Sequence, residues 1–225
     1  MKTFQRALEK TTILTMILIF AVPISAQAAI VQVEGGKTSV LFGNNALQAL
    51  GLEITGISPD VMGGDLGPNS VSFGISPRDA HGDPLETTFT YDSQNFAPFA
   101  GAIEHSGRIQ FNSAIDVGDF TIRAAEGRPV GTSGFVVEST FGLNAILFDI
   151  ANPIVETFDN SLVIGADILV SPELAGVLQN AGAAGADAGM ALVSGNSTVV
   201  PIPAAAWLFG SGLIGLLGIC RKRTT

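Results

Sequence analysis

Short apolar or alternating runs recur through the middle of the chain, each closed by glycine, proline or a cluster of Asn, Asp and Ser. They fall at residues 39–42, 52–57, 71–75, 87–91, 120–123, 135–141, 145–150, 154–158 and 161–170, with a last one at 190–193. Alternation with a period of two puts every second side chain on the same face of a pleated strand, so that one face buries and the other meets water. Runs this short, separated this regularly by turn residues, predict a mainly β domain, a single antiparallel β-sandwich or barrel-like unit. Proline follows three of them, in Gly56-Ile57-Ser58-Pro59, Gly74-Ile75-Ser76-Pro77 and Val170-Ser171-Pro172. Lacking an N–H, each proline ends the pairing there.

Helical periodicity is sparse. Ser171 as cap, Pro172 at the first helical position and Glu173 in the first turn precede Leu174, Val177 and Leu178 on one face, which predicts a short helix over 172–180. A second, over 45–50, is closed by Gly51. Beyond Asn180 the chain is rich in Ala and Gly, and Ser194-Gly195-Asn196-Ser197-Thr198 has the composition of a flexible tether spanning 194–200. One hairpin is predicted in detail over 102–111. A three-residue loop, His105-Ser106-Gly107, sets Ile103 opposite Ile109 and Glu104 opposite Arg108 and gives the left-handed position to Gly107. That register places His105 at an exposed tip.

The two ends have a different pattern. Lys2, Arg6 and Lys10 precede an apolar stretch over 13–24, and Ala26-Gln27-Ala28 fits a small-x-small cleavage site. Residues 1–28 therefore predict a secretory signal peptide, cut by signal peptidase after Ala28. At the other end, residues 202–220 carry no charge and are followed by Arg221, Lys222 and Arg223. A stretch of that length spans a bilayer as a helix, and the basic cluster keeps the C-terminus cytoplasmic with Trp207 near the outer interface. Both ends predict export of the domain at 29–193.

Val200-Pro201-Ile202-Pro203, the small run at 204–206, Trp207-Leu208-Phe209-Gly210-Ser211-Gly212 and the terminal Arg221-Lys222-Arg223 together resemble the PEP-CTERM sorting signal of Gram-negative bacteria. The resemblance covers the tail alone and departs at Ile202, where that family carries glutamate. It implies recognition by an exosortase, an inner-membrane precursor, and delivery to the cell surface or extracellular matrix of a bacterium that makes exopolysaccharide and biofilm. A structural or adhesive role is the leading expectation. The alternative is a ligand-binding surface domain for Ca²⁺, polysaccharide or haem.

Charge and chemistry narrow this further. The exported part holds Lys37, Arg78, Arg108, Arg123 and Arg128 against nineteen acidic residues, a balance that repels nucleic acid. Its stability rests on its core, since the one cysteine, Cys220, lies in the tail. No Gly-x-Ser-x-Gly elbow, phosphate-binding glycine loop or His-Glu-x-x-His occurs, so the domain is not expected to be an enzyme or to need a cofactor. Two constellations stand out. In Asp79-Ala80-His81-Gly82-Asp83-Pro84-Leu85-Glu86 the oxygens of Asp79, Asp83 and Glu86 alternate as Ca²⁺ ligands do, although Asp, Gly and Pro also make an ordinary polar turn. Residues 101–107, Gly-Ala-Ile-Glu-His-Ser-Gly, resemble the Gly-x-x-x-His-x-Gly strand pair of HtaA-type haem-capturing surface domains, which implies His105 or Tyr91 as an axial ligand.

Overall fold

The computed structural model describes residues 30–77, 85–158 and 161–201. These form one antiparallel sheet and two short helices. The strands are β1 (Ile30–Phe42), β2 (Ile54–Ile57), β3 (Met62–Gly63), β4 (Ser70–Ile75), β5 (Thr90–Asp92), β6 (Pro98–Ala100), β7 (Ala102–Ser106), β8 (Arg108–Phe111), β9 (Ile115–Ala124), β10 (Phe135–Gly142), β11 (Ala145–Phe158), β12 (Ser161–Val170) and β13 (Ala191–Pro201). The helices are α1 (Asn44–Ala49) and α2 (Pro172–Asn180). Pairing runs β4-β7-β9-β10-β11-β12-β13-β1, and β1 also pairs β4, so these ladders lead back to where they began. The short hairpin β5-β6 joins the first residues of β1.

Period-two alternation decides what faces the interior. On β12 these residues are Leu162, Ile164, Ala166 and Ile168, and on β1 they are Thr38, Val40 and Phe42. β11 keeps its inner face only through a bulge. Its register slips between Ala151↔Asp167 and Ile154↔Gly165, with Asn152 at φ 48° and its amide donating to Asp167 Oδ2 at 2.9 Å. The extra residue lets Phe148 and Ile150, and then Pro153 and Val155, share one side. A strand broken at Asn152-Pro153 in the sequence is thus one bent strand.

One end of the interior is the more closely filled, with a residual void of about 60 Å³ beside Phe42, Phe73 and Phe120. Phe73 meets Phe120 edge to face at 4.9 Å between centroids, and Phe42 meets Phe111 at 6.4 Å. Leu47 of α1 and Leu174, Ala175 and Leu178 of α2 join the same cluster. α2 has the predicted bounds, because Ser171 accepts the Leu174 N–H at 3.0 Å and Pro172 starts the first turn. Arg128 fixes the helix from outside, with its guanidinium on Asp149 at 2.7 and 3.0 Å and on Glu173 at 2.6 and 3.0 Å.

Two expectations are corrected. Residues 102–111 are not a hairpin: β7 and β8 lie end to end along the same partner, β9. The turn comes later, at Asn112 and Ser113, both with positive φ, where the Ala114 N–H donates to the Phe111 carbonyl at 3.0 Å. Gly107 (φ 118°) sits instead in a bulge between β7 and β8, where a Cβ would come within 2.7 Å of Val61 and 3.0 Å of Phe73. His105 is accordingly not at a tip but 2% exposed, paired with Ile75 of β4. Residues 194–198 are not a free tether. They belong to β13, whose backbone pairs with β1 on one side and β12 on the other. Two ladders that flank residues 194–198 on both sides outweigh a composition that favours coil.

Candidate functional site

The interior that is filled at one end is hollow at the other. A second apolar cluster of Val33, Ile75, Phe89, Tyr91, Ile103 and Leu162 borders a cavity of about 280 Å³. Its walls are inner-face residues of β7, β9, β10, β11 and β12, mostly aliphatic, with the small Ala166 between Ile164 and Ile168. The branched side chains, Ala166 and the rings of Phe89, Phe96 and Phe135 leave the centre unfilled. The exposed Pro98, Ser133 and Pro153 mark its mouth.

The hairpin β5-β6 contributes Tyr91, Phe96 and Pro98. Its turn is fixed by local side-chain bonds. Asp92 Oδ1 accepts the N–H groups of Gln94 and Asn95 at 2.8 and 3.3 Å, and Asn95 Oδ1 accepts that of Ala97 at 2.8 Å. These bonds hold Phe96 at φ 58°, a left-handed conformation unusual for an aromatic residue and the kind of strain found at ligand clamps. Its ring lies 6.4 Å from that of Tyr91.

Among the described residues, no charged side chain lines the cavity, and the hydroxyls are those of Thr38, Ser133 and Tyr91. Ser133 donates to the Ile150 carbonyl at 2.8 Å. Thr38 is bonded to His105 Nε2 at 2.7 Å, while Nδ1 of the same ring lies 2.9 Å from the Phe120 carbonyl. A carbonyl only accepts, so Nδ1 carries the proton and Nε2 accepts from Thr38. Burial, opposed by hydrogen bonds to the Phe120 and Ile103 backbone, pushes His105 down to about 4 and keeps it neutral. Burial also raises the Tyr91 phenol, which stays an O–H donor.

Of the residues singled out in the sequence, Tyr91 lines the large cavity. His105 lies beneath it on a smaller one of about 60 Å³, and Thr38, Ile122 and Ile168 border both. With both ring nitrogens engaged, His105 would have to give up its bond to Thr38 to bind a metal through Nε2. Glu86 is exposed, whereas Asp79 and Asp83 lie outside the described residues, among which no three His, Cys, Asp or Glu side chains converge on a metal position. Val200 and Pro201 end β13 opposite Gly35 and Val33. Ala26, Ala28, Ile202, Pro203, Trp207, Arg221, Lys222 and Arg223 lie outside the described residues. Among those described, no helix is long and apolar enough to cross a membrane. Thr38, Phe96, Ser133 and Ala166 were not singled out. Only Ala166, a small residue on the inner face of an otherwise bulky strand, left a trace in the pattern.

Neither a family model nor a curated protein matches the chain. Among solved structures, it is similar to the crystal structure of the C-terminal domain of HtaA from Corynebacterium glutamicum, at 12% identity and a TM-score of 0.44, over 75% of this chain and 99% of that one.

Proposed function

We propose that this chain is an exported cell-surface or matrix domain that binds a small apolar molecule in its strand-walled cavity. The observation that carries the reading is the void itself, about 280 Å³ and lined without a charge among the described residues. Interiors pack densely, with few voids larger than a water molecule, so an apolar hollow this large is a departure from ordinary core packing. An apolar cavity of about 150 Å³ already admits benzene. Acid–base catalysis finds little support at this site, since Tyr91 is the one titratable side chain among the described residues of its lining. The signal peptide and the tail resembling a PEP-CTERM signal supply the route: cleavage after Ala28, a membrane-held precursor, then recognition by exosortase. Ca²⁺ at Asp79, Asp83 and Glu86 remains an accessory to this reading, as does contact of the acidic surface with extracellular polysaccharide.

Binding is tested on the full chain in lipid nanodiscs by following the methyl resonances of Ile103, Ile122 and Ile164 as naphthalene is added. Shifts that saturate in the wild type and vanish in Ala166→Phe, which fills the void, are the expected result. Unmoved resonances in a folded wild type overturn the reading. Sorting is tested by the mass of the C-terminal peptide recovered from the native host with and without its exosortase. An end near Pro201 or Pro203 that disappears in the deletion is expected, and an intact Arg221-Lys222-Arg223 end in both strains would sink that part.

A further inference from the structure

Resting on the reading that the cavity binds a ligand, we infer that the ligand is an uncharged apolar molecule of roughly a dozen non-hydrogen atoms that accepts one hydrogen bond from Tyr91. Size comes from the volume, about 280 Å³, close to twice the space that benzene occupies in an apolar protein cavity. Charge is excluded by the walls. An ionised group lodged away from the mouth would leave water with no counter-charge among the described lining residues, and burial of that kind is prohibitive.

The hydroxyls decide the polar contact. Thr38 spends its proton on His105 Nε2, which must accept because Nδ1 donates to the Phe120 carbonyl. Ser133 spends its proton on the Ile150 carbonyl. Tyr91 lines the cavity, and its hydroxyl makes no hydrogen bond to the described residues while keeping some accessible surface. An acceptor on a ligand in the cavity would pair with this donor in place of water. A ketone or ether supplies one acceptor oxygen and brings no donors of its own. A sugar fails this test, because its several hydroxyls would be stripped of water and find one partner among them. The edge-to-face pair Phe89–Phe135 and the ring of Phe96 beside Tyr91 favour a flat apolar body.

Three molecules of nearly equal shape separate the terms: 2-acetonaphthone, 2-isopropylnaphthalene and 2-naphthoate. Each is titrated into the full chain in nanodiscs at neutral pH, wild type and Tyr91→Phe, with the isoleucine methyl shifts as readout. The ratio of affinities between wild type and variant cancels partition into lipid. The ketone should bind roughly ten-fold more tightly than the hydrocarbon to the wild type, and that advantage should vanish in Tyr91→Phe while hydrocarbon binding is unchanged. Naphthoate should bind at least roughly ten-fold more weakly than either. If the ketone has no advantage, or keeps it in Tyr91→Phe, the hydrogen bond from Tyr91 is refuted and the cavity still binds. Naphthoate binding as well as the ketone refutes the uncharged class. If no molecule binds a chain with native circular dichroism, the binding reading itself falls.

Discussion

The same strands run through a filled end and a hollow end, and they differ in what the strands carry and in what covers them. β1 places Phe42 in the filled end and Thr38 beside the cavity, and β9 places Phe120 in one and Ile122 at the border of both. The filled end is closed by two helices that insert Leu47, Leu174 and Leu178. The hollow end has the hairpin β5-β6, whose turn is held by Asp92 and Asn95 rather than by a core of its own. Alternation therefore builds a wall with an inside, but how far the side chains and the capping element reach across it decides whether that inside closes. Under a short hairpin whose turn is held by local hydrogen bonds, room is left for a guest even though Phe89, Tyr91, Phe96 and Phe135 line it.

The contrast is sharpest in truncations. Phe73→Ala, which opens a hole between Phe120 and Gly107 in the filled end, should cost about 3–5 kcal/mol in chemical denaturation. Phe96→Ala removes a ring that already borders empty space and should cost less than about 1.5 kcal/mol. Equal losses would mean that the two ends are packed alike.

Between the ends sits His105, and its titration comes next in size. Its folded pKa, about 4, lies below the unfolded value, so the neutral ring supports the fold at neutral pH and that support is lost as pH falls from about 6.5 to about 4. The loss is on the order of 3 kcal/mol. Glu104, raised mainly by burial, acts in the opposite sense and gains stability on protonation, while Glu173, lowered mainly by its bond to Arg128, loses stability only in more acid solution. Stability measured from pH 7 to 5 should fall in the wild type and stay nearly flat in His105→Gln. A slope that survives the substitution removes His105 as its source.

The smallest effects are the most diagnostic, because they change sign. Ala175→Leu adds carbon to the filled cluster and should cost about 1–3 kcal/mol through overpacking. Ala166→Leu adds the same carbon to the hollow end and should be neutral or stabilising by about 1 kcal/mol. Thermal melts of the two variants side by side decide it, and a destabilising Ala166→Leu would show the cavity to be less roomy than its volume implies.

Much of the wall was legible in the residues and little of the hollow was. The run at 161–170 and the helix at 172–180 have the predicted bounds, since alternation and a Ser-Pro-Glu start are local signals. The glycine at 107 misled because a left-handed residue serves a bulge as well as a turn, while the true turn used Asn112 and Ser113, which carry no glycine. The Ser-Gly-Asn-Ser-Thr run at 194–198 misled because pairing partners far away in sequence, β1 and β12, overrode its composition. The cavity was out of reach for another reason. A void is a sum over side chains from many strands, and no local pattern records a sum.

The place of β13 also bears on mechanics. Pro201, its last described residue, faces Val33 of β1, and the strand is laddered along both edges. Antiparallel hydrogen bonds lie across the strand direction, so tension applied at Pro201 along β13 loads both ladders in shear and spreads over many bonds together instead of unzipping them singly. A protein pulled from that end would resist tearing through the sheet itself, because the load enters along a strand held on both edges.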